Sequence, residues 1–379
     1  MSGSLRFTVH KTASDCAARR GTLVLPRATV ETPVFMPVGT QGTVKAMLFE
    51  HVESLGYNLI LGNTFHLYLR PGSDRVEKLG GLPKFIGWDG AMLTDSGGFQ
   101  VYSLKDLRKI NETGVVFRSP LDGSKHDFTP ENVMQIQHAL GADIIMAFDE
   151  CTPYPATDEY VRLSMERTHR WALRCREAHE SLGGDAAGHN LFGIVQGGTS
   201  DLLRAESAAF VSGLDCAGVA IGGVSVGEPS ADMYHITRTT AALLPLDKPR
   251  YLMGVGLPED ILEAAIAGMD MFDCVLPTRM ARNGTLFTSR GRRSISNAKF
   301  ADDAGPIDAD CSCLTCRRHS AAYLRHLHKC HEILFSNLAT IHNLAFYARL
   351  MQQIRDAIAV GSLPQLRDTL RENWGLSAI

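Results

Sequence analysis

No stretch of these 379 residues approaches the roughly 18 consecutive apolar residues that a membrane-spanning helix needs. The opening segment, MSGSLRFTVHKT, also lacks the apolar core of a secretory signal. The expected compartment is therefore the cytoplasm, with no membrane partner. A large net charge is missing as well: 38 Lys and Arg against 41 Asp and Glu give −3, which excludes a generally basic coat for nucleic acid. Nine cysteines, an odd number with isolated members such as Cys16, Cys151, Cys216 and Cys274, do not form a disulfide framework and fit a reducing compartment. Internal repeats longer than a βα unit and low-complexity segments are absent too.

One absence is local. From Cys274 to Phe300 there is no acid, while Arg279, Arg282, Arg290, Arg292, Arg293 and Lys299 fall there; the run from Cys311 to Cys330 adds Arg317, Arg318, Arg325 and Lys329, again without an acid. Such a cationic surface can neutralise phosphates and hold a polynucleotide in register with little base specificity of its own.

What the basic segment does have is cysteine at short spacing. Cys311-x-Cys313-x-x-Cys316, with His342 a helix-length downstream, offers soft thiolates and an imidazole suited to a d10 ion in tetrahedral geometry. Four protein ligands leave no position open for water, so one structural zinc per chain is expected. His319, His326, His328 and His331 lie closer in sequence and also compete for the fourth position; His342 leads on spacing.

Eight apolar runs of strand length occur, at 32–39, 58–65, 91–98, 142–150, 190–198, 218–227, 249–256 and 269–278. Helical patterns at 44–55, 74–79, 130–140, 158–182, 201–214, 231–244 and 258–267 alternate with them. Thr129 before Pro130 and Glu131, and Leu257 before Pro258 and Glu259, read as helix starts with proline at the first position. Repeated βα units whose strands are apolar on both faces point to an α/β (β/α)8 TIM barrel; an open doubly wound sheet is the alternative. An antiparallel hairpin at 5–30 and another at 115–128, around Asp122-Gly123, fall outside the alternation. The expected organisation is a single barrel domain spanning 1–379, with a zinc-binding subdomain at about 279–345 inserted near the last helix.

Catalytic residues of such a barrel belong at the carboxyl ends of its strands. Asp95, Asp149 with Glu150, Gln196, Gly222-Gly223, Met253-Gly254 and Asp273-Cys274 occupy those ends. Carboxylates in apolar strands cost on the order of several kcal/mol to bury unless a pocket or partner compensates. Histidines are nearly missing there, His66 being the main exception, which argues against a metal-dependent hydrolase with an open coordination site. His66 reads instead as a histidine that positions a loop. The pattern suggests chemistry on a nucleic-acid component with a carboxylate nucleophile.

The runs Asp95-Ser96-Gly97-Gly98-Phe99-Gln100, Phe148-Asp149-Glu150-Cys151-Thr152-Pro153, Gly193-Ile194-Val195-Gln196-Gly197-Gly198, Ile221-Gly222-Gly223-Val224-Ser225-Val226-Gly227, Tyr251-Leu252-Met253-Gly254 and Phe272-Asp273-Cys274-Val275-Leu276-Pro277-Thr278-Arg279 closely resemble the tRNA-guanine transglycosylase family. So does the Cys3His pattern, and the resemblance is collinear over essentially the whole chain. It implies exchange of the wobble guanine of tRNAs with G-U-N anticodons, through a covalent ribosyl-enzyme intermediate, in queuosine biosynthesis.

By the same resemblance, Asp273 is the nucleophile and Asp95 the general acid and base, an assignment that chemistry alone leaves open between two carboxylates. The resemblance also gives Asp149 the pyrimidine edge of the base, and sets Gln196 and the Gly222-Gly223 backbone at its 6-oxo group. Phe99 and Met253 are expected to sandwich the ring. Arg279, Arg282, Arg290, Arg292 and Arg293 are expected on RNA, and the zinc subdomain in a homodimer. Cys151 and Val226 look bacterial, and the chain carries no long C-terminal RNA-binding extension of the archaeal kind, so the incoming base is expected to be 7-aminomethyl-7-deazaguanine. Val224 stands where leucine is usual and Phe99 where some members have tyrosine, which bears on pocket fit. The rival reading is a non-catalytic accessory subunit, which would share the fold and zinc but lack the nucleophile.

Overall fold

Parallel pairing carries the sheet around the molecule and back to where it began. In the computed structural model, which describes residues 4–104 and 107–376, an antiparallel sheet comes first: β1 (Arg6–Thr12), β2 (Arg19–Val24) and β3 (Thr29–Thr32). The barrel follows as β4 (Val34–Met36), β5 (Val38–Gly39), β6 (Leu59–Gly62) and β7 (Ala91–Thr94). An excursion of three antiparallel strands, β8 (Arg108–Ile110), β9 (Val115–Arg118) and β10 (Lys125–Phe128), precedes β11 (Ile144–Met146). Then come β12 (Asn190–Val195), β13 (Gly218–Ile221), β14 (Arg250–Leu252) and β15 (Met271–Asp273), and finally a hairpin of β16 (Thr285–Thr288) and β17 (Gly291–Ser294).

The barrel order is β4-β15-β14-β13-β12-β11-β7-β6-β5. β4 and β5 are one strand interrupted at Pro37, which has no N–H to give the ladder. Its carbonyl still accepts from Leu61 N at 3.0 Å, so the eight strand positions close into a ring and the open-sheet alternative falls. All eight lie inside the expected apolar runs, and all but the first, which ends with its run at Gly39, end earlier, because the carboxyl-terminal residues of those runs turn out of the sheet to form the mouth. Both hairpin expectations were too small: β3 adds a third strand to the first hairpin, and β8 adds one to the second.

Alternation along each strand separates two cores. Leu59, Leu61, Ala91, Leu93, Ile144, Met146, Phe192, Ile194 and Met271 fill the interior, whereas Ile60, Met92, Ile145, Leu191 and Phe272 face the surrounding helices. Truncating Phe192 to alanine would cost about 3–5 kcal/mol. Gly218 is required beside it, since a Cβ there would meet the Phe192 ring at 2.3 Å. Leu23, Leu25 and Val30 of the antiparallel sheet join the interior cluster and plug the amino-terminal end.

The helix Pro130–Leu140 begins as its sequence indicates, with Thr129 and Asn132 forming a reciprocal capping box and Gly141 closing it in the left-handed region. After β15 the chain makes the helix Leu276–Arg282, the β16–β17 hairpin and two short helices before the long helix Ile333–Val360. That helix packs against β4, where Tyr347 meets Phe35 at 4.8 Å between ring centroids; it is the last barrel helix. The insertion before it has its own apolar cluster, including Leu286, Ile295, Phe300, Leu324 and Leu327.

Candidate active site

The strand ends surround a cavity of about 500 Å³, ample for a purine. Asp95, directly after β7, is 8% exposed. Asn63 Nδ2 donates to one of its oxygens and Thr64 N to the other at 2.9 Å. Burial pushes the Asp95 carboxyl up to about 6, the charge of Asp273 adds to the push, and the Asn63 and Thr64 bonds oppose it. Such a group changes protonation near neutrality, as a general acid and base must.

Asp273 ends β15 on the parity of Met271, which points into the barrel. Its Oδ1 accepts from Tyr251 Oη at 2.5 Å and from Gly254 N at 2.8 Å. Burial raises its pKa while these two donors restrain the rise. The two bonds leave Oδ2 without a protein partner among the described residues, which suits attack on a carbon centre. Asp149 follows β11 and is held by Ser96 Oγ at 3.0 Å on Oδ1 and by Gln196 Nε2 at 2.8 Å on Oδ2. Its pKa is also raised by burial, against the pull of Gln196 and Ser96.

Phe99, Met253, Cys151, Val226, Gly222 and Gly223 all line the same cavity, as does Arg279. Phe99 is 55% exposed at the rim, where a flat base could be covered. Gln196 is placed differently from expectation. It is fully buried behind Asp149, with its Nε2 committed to that carboxylate and its Oε1 without a partner. Gly223, at φ +63°, brings its backbone so close to Gln196 Oε1 that a Cβ would lie 2.2 Å from it. His66 lines the cavity half-buried, with its pKa lowered by burial and then by Lys45.

The basic residues divide. Arg279 faces the cavity and Arg282 Nη1 donates to Thr278 O at 2.8 Å. Arg290 and Arg293 flank Arg292 on the β16–β17 hairpin, but Arg292 itself is paired with Glu259 and lies over the Trp374 ring. Its charge is thus neutralised within the protein, which weakens the expectation of a phosphate contact. Residue-by-residue reading also passed over Asn63, Tyr251 and Arg204. Strand parity could have found Tyr251, which shares the interior face with Met253; the other two carry no local signal.

Away from the cavity, the ligand atoms of Cys311, Cys313, Cys316 and His342 lie within 4.8 Å of one another. His342 Nδ1 stands 3.2 Å from Cys316 Sγ, while Nε2 is 2.7 Å from Phe287 O. The carbonyl fixes the proton on Nε2 and leaves the Nδ1 lone pair facing the thiols, the arrangement a metal requires. No other nearby histidine joins them: His319 stacks on Tyr323 and His328 packs on Phe335. The four residues could hold a metal ion.

A closed parallel barrel with three buried aspartates around one mouth, and a Cys3His group completed by a histidine of its last helix, defines a barrel enzyme with a carboxylate-lined mouth. The chain belongs to the queuine tRNA-ribosyltransferase family, whose model matches residues 14–375. It is 56% identical over 371 residues to the queuine tRNA-ribosyltransferase of Caldanaerobacter subterraneus subsp. tengcongensis, covering 98% of both chains. The Thermoanaerobacter pseudethanolicus protein of that name is 54% identical over 372 residues, again 98% of each. A third, from Herpetosiphon aurantiacus, is 56% identical over 352 residues, 93% of this chain and 88% of its own.

Proposed function

We propose that this chain is a tRNA-guanine transglycosylase that replaces the wobble guanine of G-U-N anticodons with 7-aminomethyl-7-deazaguanine, in queuosine biosynthesis. The observation that carries the reading is the pair Asp95 and Asp273, close enough to feel each other's charge across one cavity yet held by different donors. Asp273 Oδ2 attacks the anomeric carbon; the bond to the guanine nitrogen breaks, and its electron pair leaves with the base. Asp95 supplies a proton to the departing ring. The incoming base then loses its ring N–H proton to Asp95 and attacks the same carbon, expelling Asp273. Both half-reactions pass an oxocarbenium-like centre, as in retaining glycosidases.

Asp149 accepts from the N–H donors of the base edge, with Gln196 orienting it. The Gly223 N–H meets the 6-oxo group, where charge develops. Phe99 and Met253 cover the ring faces, and Cys151 and Val226 bound the space beside its 7-substituent. A flipped anticodon nucleotide reaches the cavity most easily from a single-stranded loop, with Arg279, Arg282, Arg290 and Arg293 on the flanking phosphates. Arg292 holds the hairpin that presents them.

The Cys3His set suits zinc, and zinc would fix the 279–345 unit within a single 1–379 domain. The cytoplasm is the compartment proposed for a chain with no helix long and apolar enough to cross a membrane among its described residues. A homodimer is supported by Leu48, Ile333 and Leu334, exposed at 63%, 87% and 45% and brought to one side by the Asn337 bond to Ala46 O.

The test is radiolabelled guanine exchange into unmodified G-U-N tRNA, with denaturing gels for a protein–RNA adduct. Wild type should give both, and Asp273→Asn should lose both by about a thousandfold or more. Tight tRNA binding by folded wild type without exchange would instead favour the accessory-subunit reading.

A further inference from the structure

Arg204 is a charged group for which the scheme above has no use. It lies on the helix Asp201–Ser212 behind the barrel wall, 1% exposed, and forms no ion pair among the described residues. A buried charge without a counter-ion is expensive unless dipoles replace water around it. Four carbonyls do so here. Nε donates to Gly198 O at 2.8 Å, Nη1 to Gly222 O at 2.7 Å and Val195 O at 3.1 Å, and Nη2 to Gly223 O at 3.1 Å. Burial pulls its pKa down to about 10, opposed by the charge of Glu228, with which it makes no direct ion pair, so it stays cationic at neutral pH.

The Gly222 carbonyl and the Gly223 N–H are the two ends of one peptide unit. In a trans peptide they point in opposite directions, so a cation holding the oxygen from behind the wall sends the N–H the other way. Gly222 and Gly223 both line the cavity, and no described group of the protein accepts from the Gly223 N–H. A charged donor on the carbonyl also draws electron density along the amide and makes its N–H a stronger donor. The backbone can take this path only without side chains: a Cβ on Gly222 would lie 2.8 Å from Gln196 Nε2.

We propose that Arg204 is a positioning residue that orients and polarises the Gly222–Gly223 peptide, making this site selective for bases with an oxo group at the six-position of the purine. The inference rests on the transglycosylase reading and adds to it a residue that never touches the substrate. In this scheme the stabilisation of charge on the departing base comes from a cation two bonds behind the donor.

The test compares guanine with 2-aminopurine, which lacks the oxo group and the N1 proton, as competitive inhibitors of exchange by wild type and Arg204→Lys; only the change between the two proteins bears on Arg204, since the lost N1–H bond to Asp149 is common to both. Guanine should weaken by about tenfold or more in the variant while 2-aminopurine changes by less than about twofold. Equal weakening of both bases would mark a merely structural role and overturn the proposal, as would no weakening of either. Should Arg204→Lys fail to fold, Arg204→Gln, which can keep one donor near the Gly222 carbonyl but carries no charge, takes its place under the same two criteria. A wild type that neither exchanges nor binds guanine overturns the function reading and this inference with it. Exchange by wild type with unaltered base preference in a folded variant sinks this inference alone.

Discussion

The two ends of this barrel both bury aspartates and give them opposite kinds of partner. At the amino-terminal end, Asp270 takes a two-pronged bond from Arg19 at 2.9 and 2.6 Å plus the Arg250 N–H at 2.7 Å. Asp143 takes Arg27 at 3.1 Å and the Met92 N–H at 2.7 Å. At the carboxyl-terminal end, Asp95, Asp149 and Asp273 are held by an amide, a hydroxyl, a phenol or a backbone N–H, and no cation touches them among the described residues. An arginine would fix each carboxylate as a spectator ion. Neutral donors position it and leave its proton affinity high enough for chemistry. The difference is one between staples that hold neighbouring strands and groups that can gain, lose or share charge with a substrate.

Breaking the staple should have the largest effect on stability. Asp270→Asn leaves the Arg19 guanidinium buried without its counter-ion and should cost about 3–5 kcal/mol, read as a lower midpoint in urea unfolding. Near-native stability in that variant would erase the contrast between the two ends.

Asp95→Asn should act in the other direction. Burial pushes the folded carboxyl up to about 6 against 3.8 for an unperturbed aspartate, so the folded state binds the proton more tightly and ionisation penalises folding. That penalty is fully present above pH 6 and gone below about pH 4. The variant should therefore be more stable than wild type by roughly 1–3 kcal/mol at pH 8, with the gap closing as pH falls to 4. Thermal melts across that range would show it, and a gap independent of pH would contradict it. The same titration predicts that adduct formation slows as pH rises through about 6, while capture of the adduct by base slows as pH falls through it, measured by quenched single turnovers.

The smallest effect belongs to Tyr251→Phe. Asp273 would lose one of its two donors and its carboxylate would become less favourable, reducing adduct formation by about tenfold with tRNA affinity unchanged. A loss as deep as that of Asp273→Asn would make Tyr251 part of the reaction itself.

Much of this was legible because it is periodic or short-range. Strands apolar on both faces announce a parallel barrel, Thr129-Pro130-Glu131 a helix start, and Cys311-x-Cys313-x-x-Cys316 a group that could hold a metal ion. The mouth was legible as a set of strand ends, because a βα repeat dictates which ends converge. Less legible was Arg292, whose place in a basic run points to phosphate contact although Glu259 pairs with it in the fold. Gln196 was expected at the 6-oxo group of the base, but it lies buried with its Nε2 on Asp149, a partner that depends on where Asp149 turns.

Sequence alone therefore determined the barrel, the placement of three aspartates at strand ends and the closely spaced cysteines of the Cys3His group, since each follows from spacing along one segment. Tertiary structure decided which of five competing histidines completes the clasp, which buried aspartates are stapled by arginine and which are left to neutral donors, and that Arg204 stands behind the Gly222–Gly223 peptide. These are contacts between segments tens to hundreds of residues apart. No local pattern encodes them, because a charge is tuned by whatever the fold brings within a few ångströms of it.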